Sequence, residues 1–227
     1  MEDISQHINA ADSQGLDILS GHFNDIFVLI WSKIMDIKQL HENIAFVQRA
    51  ESLKSTLRSA YTSEGRQESA AEHSWRLCLL IMTFAQYFEG ADTGKLLRLA
   101  VVHDLGEAVC GDIPAIRQAD VGDKSDCERK GMCELCAGLP ESTRMELLAL
   151  WDEYESATTL EAKIVKGLDK LETIMQHNQG KNPPDFNYIF NLSYGRECTS
   201  GHPLLEQIRD VLDKTTKQNA TVKNNSQ

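Results

Sequence analysis

The sequence predicts an all-α fold from three observations. Apolar residues recur at helical spacing, no convincing alternation of apolar and polar residues indicates a strand, and turn residues separate segments of helix length. The spacing is clearest at Phe23, Phe27, Ile30 and Ile34, and then at Leu40, Ile44 and Val47. Glycine and proline cluster at residues 90–94, 111–114, 138–140 and 180–184, which divides the chain into helix-length pieces. We therefore expect a single helical bundle without an internal repeat.

The composition narrows the class of protein. A chain of 227 residues with 41% hydrophobic and 25% charged residues fits one folded domain. Its formal net charge of -11 opposes contact with a polyanion, so we expect no nucleic-acid partner. No apolar run approaches the roughly 20 residues that a membrane span needs, and no secretory signal is evident. We expect a cytoplasmic protein with no membrane association, whose six cysteines are reduced.

The two ends of the chain differ from its middle. Residues 1–21 are polar and lack a period, and residues 213–227 are rich in Lys, Thr, Asn and Gln, so we expect both to be mobile. The domain is expected to span residues 22–212, with residues of about 22–37 forming an extra N-terminal helix.

Three of the predicted helices carry the residues of chemical interest. Ser69 and Glu72 have the spacing of a capping box, which predicts the start of a helix there. Thr158 and Glu161 repeat that spacing before a later apolar helix. Between them, a helix is expected to run from about residue 95 to Gly111, because glycine tolerates the backbone conformation that ends helices.

The segment VVHDLGE, residues 101–107, places an imidazole and two carboxylates in a helix whose preceding turns are almost wholly apolar. Ionisable groups in such a setting need partners, and a bound cation is one way to stabilise them. Neighbouring residues on a helix project about 100° apart, so His103 and Asp104 can both reach one metal ion. Glu107 lies on the same face, where it can approach whatever the metal holds.

An isolated His-Asp pair is a weak signal, because such a short motif more often caps or salt-bridges a helix. Its surroundings strengthen it here. His73 begins one apolar helix, and Asp169 borders the core stripe of another, where an unpaired carboxylate would be costly. The order His, His-Asp, Asp therefore predicts a divalent metal site.

This order resembles the HD superfamily of metal-dependent phosphohydrolases, and five blocks resemble its 5'-deoxynucleotidase-like branch. The blocks are LKSTLR (53–58), RQESAAEHSW (66–75), VVHDLGEAVCGDIPA (101–115), LWDEYES (150–156) and EAKIVKGLDKLE (161–172). The similarity spans about residues 40–210. It implies an HD-domain helical bundle and leaves the extra N-terminal helix unassigned.

The resemblance also implies roles for individual residues. The metal ligands would be His73, His103, Asp104 and Asp169. Glu107 matches the family's catalytic glutamate, Asp112 matches a second acidic residue near the substrate and the attacking water, and Arg58 matches an arginine directed at the substrate phosphate. Ser59 departs from a family variant that has an aromatic residue after that arginine, which puts the base or sugar contacts in doubt.

The expected activity is hydrolysis of a nucleoside 5'-monophosphate, preferably a deoxynucleotide, to nucleoside and phosphate. A divalent ion, Mn, Co, Mg, Zn or Fe, would bind a phosphoryl oxygen and lower the pKa of water. Four evident ligands favour one ion over two. His177 is the reserve ligand, although an exposed histidine at a helix end is the simpler interpretation. Either Glu107 or Asp112 would then move protons.

Other interpretations of the same residues stay open. The site could take a nucleoside triphosphate or another small phosphate ester, or the chain could be a regulator that binds a nucleotide without turning it over. Lys166 could approach the phosphate, but a salt bridge is the simpler role. Cys133 and Cys136 form a C-x-x-C element without a second ligand pair, so free thiols are expected rather than a zinc site. The family resemblance also implies a homodimer, whose interface the extra helix could share, although packing onto its own domain is the simpler use of that helix.

Overall fold

The computed structural model describes residues 36–112 and 124–224, and these residues are mostly helical. The α-helices are α1 (Ile37–Ala50), α2 (Ala70–Phe84), α3 (Thr93–Val102), α4 (Glu107–Cys110), α5 (Lys124–Leu135), α6 (Glu141–Ser156), α7 (Leu160–Gln179), α8 (Arg196–Thr199) and α9 (Pro203–Asn224). Short 3-10 helices occupy Glu51–Lys54, Ala85–Tyr87 and Tyr188–Leu192. The predicted all-α class is confirmed. The expected mobile segment 1–21 and most of the expected extra helix 22–37 lie outside the described residues.

Helix α7 is the central element of the core. It packs against α2, α3, α6 and α9. Its apolar stripe, which includes Ile164, Leu168 and Leu171, is buried, as the helical spacing predicts. Because neighbouring helices cover several of its faces, α7 can also hold polar side chains away from solvent. Asp169 is one of these, with only 4% of its surface exposed.

The start of α7 differs from the predicted start by one residue. Thr159, rather than Thr158, is the N-cap, and its hydroxyl accepts a hydrogen bond from the backbone N–H of Ala162 at 3.2 Å. Glu161 does not complete a capping box. Its carboxylate instead contacts the backbone N–H of Asp92, at 3.1 Å, and so ties the start of α7 to the start of α3.

The helix predicted from residue 95 to Gly111 is broken in the structure. Helix α3 ends at Val102, residues 103–106 form turns, and the short helix α4 follows. Gly106 lies against the backbone of Glu128 on α5, and a Cβ atom at Gly106 would collide with it. This close approach needs glycine at the break. Gly111 ends α4 with a φ of 76°, as its predicted role as a helix terminator requires.

A small β-hairpin precedes α2, although the sequence showed no convincing strand. Strands β1 (Leu57–Tyr61) and β2 (Gln67–Ser69) are antiparallel, with an irregularity in their register. The hairpin is anchored on α7, because the side-chain amide of Gln176 donates to the backbone carbonyl of Tyr61 at 2.6 Å. Such short strands, one of three residues and the other irregular, leave little alternation to detect. The hairpin places Arg58 beside α7.

The expected mobile tail, residues 213–227, is wrong for residues 213–224. These residues continue α9, and Asp213, Thr216 and Ala220 are buried. The hydroxyl of Thr216 donates to the side-chain oxygen of Asn178 on α7 at 3.0 Å. The polar composition hid an amphipathic helix whose buried face repeats every three or four residues.

Candidate metal centre

His73 enters the site from the first turn of α2. The Ser69 hydroxyl accepts a hydrogen bond from the backbone N–H of Glu72, and the Glu72 carboxylate accepts one from the backbone N–H of Ser69. The predicted capping box is therefore present. His73 is fully buried, and its Nε2 lies 3.1 Å from Oδ1 of Asp169. The capping box fixes the end of the helix that carries this imidazole.

His103 and Asp104 lie at the break after α3. The His103 Nδ1 donates to the carbonyl of Ala100 at 2.8 Å. Oδ2 of Asp104 lies 3.2 Å from Nε2 of His103 and 3.9 Å from Nε2 of His73. The Asp104 carboxylate therefore stands between the two imidazoles, as the predicted shared site requires.

Asp169 completes the group from α7. Its Oδ2 accepts hydrogen bonds from the hydroxyl of Tyr154, at 2.7 Å, and from Nζ of Lys170, at 2.9 Å. These two donors fix the carboxylate and leave Oδ1 on the side of His73. Tyr154 and Lys170 are contacts that the sequence interpretation missed.

Both imidazoles present the same nitrogen to the centre of the site. Nδ1 of His73 is hydrogen-bonded to the buried carboxylate of Glu172, and Nδ1 of His103 to a backbone carbonyl. Nδ1 is therefore the protonated nitrogen in each ring. Both Nε2 atoms are buried and have no hydrogen-bond partner among the described residues. Histidines that bind a metal usually donate their other N–H to a carboxylate or carbonyl in this way.

The four side chains fit a divalent metal ion. The ligand atoms of His73, His103 and Asp169 all lie within 4.8 Å of one another, and Asp104 borders both imidazoles. A buried imidazole lone pair that faces a carboxylate oxygen is costly unless a cation lies between them, and both Nε2 atoms are buried beside carboxylates. Two imidazoles and two carboxylates form a mixed donor set that suits a first-row divalent ion.

The charges of the site also favour a cation. Burial and Arg58 act to lower the pKa of His73, but Glu172 and Asp169 outweigh them and raise it to about 10. Burial would raise the pKa of Asp104, yet His103, His73 and Arg58 hold it below its ordinary value. The carboxylates therefore draw a positive charge into the cluster, and a metal ion would compete with the proton on His73.

We call the cluster of His73, His103, Asp104 and Asp169 the metal group. Arg58, on β1, reaches the edge of this cluster. Its guanidinium lies 3.4 Å from Oδ2 of Asp104, 2.9 Å from the hydroxyl of Thr173 and 3.5 Å from the carboxylate of Glu68. These contacts fix the planar group, which is largely buried and lines the same cavity as Asp104. Arg58 is therefore positioned to bind an anion beside the metal group.

Glu107 and Asp112 form an acidic pair close to the metal group. Only 2% of Glu107 is exposed; its Oε1 lies 3.3 Å from Nζ of Lys124, and its Oε2 has no partner among the described residues. Burial, Asp104 and Asp112 raise the pKa of Glu107 to about 9. Burial also raises the pKa of Asp112. Carboxyl groups shifted in this direction can carry a proton near neutral pH. Residues 113–115 of the GDIPA block lie outside the described residues.

Six of the seven predicted site residues line one cavity of about 1030 Å³. Its lining includes Arg58, His103, Asp104, Glu107, Asp112 and Asp169. His73 is buried behind this wall and reaches the group through Asp169. The volume lies at the upper end of the range for small-molecule sites. The structure thus brings the seven predicted residues together.

Residue spacing predicts some contacts of the site and misses others, as Glu172, Lys124 and Lys166 show. Glu172 lies three residues after Asp169, so the sequence places the two carboxylates on the same face of one helix. No feature of the sequence indicates that Glu172 contacts His73, which lies on another helix. Lys124 follows the undescribed residues 113–123, and it contacts Glu107, which precedes them in the sequence. This contact depends on the fold and could not be predicted from residue spacing. Lys166 donates to the carbonyl of Glu155 at 3.0 Å and lies 3.5 Å from its carboxylate. The simpler interpretation of Lys166 agrees with these contacts.

His177 lies apart from the metal group. It is neither the reserve ligand nor an exposed helix-end residue, because it is 6% exposed and absent from the clustered ligand atoms of the described residues. It is two helical turns beyond Asp169 on α7, at a distance that excludes it from the same ion.

The cysteines form no disulfide. Cys133 is exposed and Cys136 is buried, and neither belongs to a metal-ligand cluster among the described residues. The two residues of the C-x-x-C element are therefore free cysteines in the structure.

Known proteins resemble this chain in sequence. A family model described as the HD domain matches residues 50–209. The human protein "5'-deoxynucleotidase HDDC2" is 34% identical over 119 residues, which cover 52% of this chain and 57% of that protein. The mouse protein of the same name is 30% identical over 166 residues, covering 71% and 80%. The chain thus spans just over half the length of the human relative.

Solved structures resemble the fold as well. A protein described as a "Predicted metal-dependent phosphohydrolase" from Magnetospirillum magnetotacticum superposes with a TM-score of 0.70 and 26% identity. The match covers 82% of this chain and 98% of that one. The PH0347 protein from Pyrococcus horikoshii has a TM-score of 0.59 and 25% identity, with coverage of 77% and 98%.

Proposed function

This chain belongs to the HD domain family, and on that premise we propose that it is a metal-dependent 5'-deoxynucleotidase. It would hydrolyse (deoxy)nucleoside 5'-monophosphates to a nucleoside and inorganic phosphate. The observation that carries the proposal is the pair of Nε2 atoms, on His73 and His103, that make no hydrogen bond within the described part of the chain and face two carboxylates beside a cavity of about 1030 Å³. The relatives named as 5'-deoxynucleotidases support the choice of substrate.

The proposed metal ligands are His73, His103, Asp104 and Asp169. One divalent ion suits this set, because the ligand atoms of His73, His103 and Asp169 lie within 4.8 Å of one another and Asp104 borders both imidazoles. Such an ion supplies Lewis acidity, which polarises a phosphoryl group and lowers the pKa of water. Mn, Co, Mg, Zn and Fe are the candidates, and the mixed nitrogen and oxygen donors favour a transition metal over Mg.

Arg58 is the proposed phosphate-binding residue. The guanidinium is held by Asp104, Thr173 and Glu68, so little conformational freedom is lost when it binds. Its remaining donor capacity can bind the equatorial phosphoryl oxygens, on which negative charge accumulates in the transition state. The charge of Arg58 also offsets the overall negative charge of the protein near its anionic substrate.

Glu107 and Asp112 are the proposed proton carriers. As the water oxygen attacks phosphorus, it must lose a proton, and as the ester P–O bond breaks, the nucleoside 5'-oxygen must gain one. Oε2 of Glu107 lacks a partner among the described residues and can accept or donate that proton. Lys124 holds the other oxygen, Oε1, and so orients the carboxyl group. Asp112 lines the same cavity and offers a second carboxyl group for the exchange.

A phosphate-release panel tests this function. Purified protein would be supplied with deoxynucleoside mono-, di- and triphosphates, and with matching ribonucleotides, in the presence of Mn, Co or Mg. We expect inorganic phosphate from the monophosphates. Pyrophosphate or triphosphate as the product would replace this proposal with a triphosphohydrolase. Tight nucleotide binding without turnover under all three metals would instead indicate a regulator.

The proposal extends to location and association. No helix within residues 36–112 or 124–224 has the length and apolar character of a membrane span. The location that we propose is the cytoplasm, and we propose no nucleic-acid partner.

The apolar stripe predicted for α1 lies on a helix but is not buried, because Ile44 is 46% exposed and Val47 is 67% exposed. This face supports a homodimer, which sedimentation of the wild-type protein and of Val47→Asp would test.

A further inference from the structure

His177 is a buried polar residue that the proposed hydrolysis does not use. It lines the same cavity as the metal group, and it is 6% exposed. Its Nδ1 lies 2.9 Å from Oδ1 of Asn191. Because that oxygen can only accept, Nδ1 carries the proton and Nε2 holds a lone pair. Nε2 has no hydrogen-bond partner within the described part of the chain.

The imidazole is firmly held in this state. Asn191 is fully buried, and its backbone carbonyl accepts a hydrogen bond from Arg209 at 2.7 Å. The ring of Phe186 packs edge-on against His177, with 4.9 Å between ring centroids. Burial lowers the pKa of His177, so the ring stays neutral at physiological pH. A rigid, neutral imidazole with a free lone pair accepts a hydrogen bond from an N–H or O–H group.

The position of His177 separates it from the phosphate. Asp169, Thr173 and His177 follow one another at intervals of four residues along α7, and each lines the cavity. Each interval advances about 6 Å along the helix, so His177 lies about 12 Å from Asp169. Asp169 belongs to the metal group, and Thr173 accepts a hydrogen bond from Arg58, the proposed phosphate ligand. With the phosphate bound at these two residues, His177 would face the organic part of the substrate.

The cavity near His177 has aromatic walls. Phe186, which contacts His177, lines it, as do Tyr61 and Phe190. Aromatic rings provide flat apolar surfaces on which a nucleobase stacks. A sugar hydroxyl would need no such surface, so the base is the better match for this end of the cavity.

We propose that His177 determines substrate recognition by accepting, at Nε2, a hydrogen bond from an N–H group of the nucleobase. This inference rests on the proposed nucleotidase function and adds to it a base-binding subsite formed by His177, Phe186 and Phe190. His177 touches the substrate but not the reacting atoms, so it contributes to binding equally before and during the chemical step. Its loss therefore raises KM and leaves kcat nearly unchanged.

The test compares substrates with and without a base. The wild-type protein, His177→Phe and the control His202→Phe would be assayed on dAMP and on 2-deoxyribose 5-phosphate, with metal content and thermal melting recorded. His202 does not line the cavity. We expect His177→Phe to raise KM for dAMP about tenfold. The same variant should leave the KM for 2-deoxyribose 5-phosphate unchanged, and His202→Phe should match the wild type on both substrates.

Two outcomes would overturn the inference. An equal rise in KM on both substrates would show that His177 does not contact the base. A wild-type protein that binds 2-deoxyribose 5-phosphate as tightly as dAMP would show the same without any variant, so the test survives a variant that fails to fold. Failure of the wild-type protein to hydrolyse either substrate would instead remove the nucleotidase proposal on which the inference rests.

Discussion

The carboxylate of Glu172 is hydrogen-bonded to Nδ1 of His73, and both side chains are fully buried. This contact fixes the protonated nitrogen of the imidazole and turns Nε2 toward Asp169. Arg76 lies 3.4 Å from the other oxygen of Glu172 and balances its charge. The proposed metal ligand on α2 is thus oriented by a residue on α7, one turn beyond a second proposed ligand.

Removing the charge of Glu172 should weaken the metal site without abolishing it. In Glu172→Gln, an amide oxygen can still accept from Nδ1, but the imidazole becomes a poorer electron donor. We expect metal affinity to fall about tenfold, as is typical for partners of ligating histidines. Competition with a coloured chelator measures this. The control Glu146→Gln changes an exposed carboxylate paired with Arg98 and should have no effect. Equal affinities of Glu172→Gln and wild type would refute the orienting role.

Glu107 should be required for turnover but not for metal retention. Its carboxylate is oriented toward the cavity by Lys124 and lies outside the ligand group among the described residues. We expect Glu107→Gln to lower kcat about 100-fold with normal metal content. Glu128→Gln is the matched control, because Glu128 also pairs with Lys124, at 3.1 Å. If both variants lost activity equally, disruption of Lys124 rather than loss of a proton carrier would explain the effect.

Arg58 should act on the phosphate in the transition state. Replacing it with methionine keeps much of the aliphatic length but removes the charge, so kcat/KM should fall about 100-fold. Arg66→Met, in the same hairpin region, removes an exposed arginine that pairs with Glu72 and should retain activity. Steady-state kinetics on one deoxynucleoside monophosphate would compare the two variants. Full activity of Arg58→Met would exclude the proposed phosphate contact.

The start of α7 allows a test of stability rather than activity. Thr159→Ala removes the N-cap hydroxyl and should lower the free energy of unfolding by about 1 kcal/mol. Thr158→Ala alters the exposed neighbour, which caps nothing, and should be nearly neutral. Urea denaturation of both variants measures the difference. A larger loss in Thr158→Ala would show that the helix begins where the sequence pattern first indicated.

The sequence predicted which side chains cluster at the site better than it predicted their surroundings. His73, His103, Asp104 and Asp169 were recognisable because their order and apolar settings are local properties of the chain. The partner of His73, Glu172, was not, since contact across 99 residues depends on how α2 and α7 pack. The break at Gly106 was also hidden, because it arises from close approach to the backbone of Glu128 rather than from local propensity.

The tail that was expected to be mobile illustrates a different limit. Residues 213–224 are polar on average, and average polarity suggested a solvated end. The structure instead buries Thr216, whose hydroxyl finds a partner on α7, Asn178. Burial of a hydrogen-bonded hydroxyl costs little, so a helix of moderate polarity can still pack.

The most direct test of the account is a metal titration of phosphate release from a deoxynucleoside 5'-monophosphate. Protein stripped by a chelator would be reconstituted with increasing Mn or Co, beside Asp169→Ala and the control Asp152→Ala, whose half-exposed carboxylate pairs with Arg129 away from the site. We expect no activity in stripped wild-type protein, recovery that saturates at one ion per chain, and no recovery in Asp169→Ala. Full activity after stripping, or recovery of Asp169→Ala to the level of the control, would contradict it.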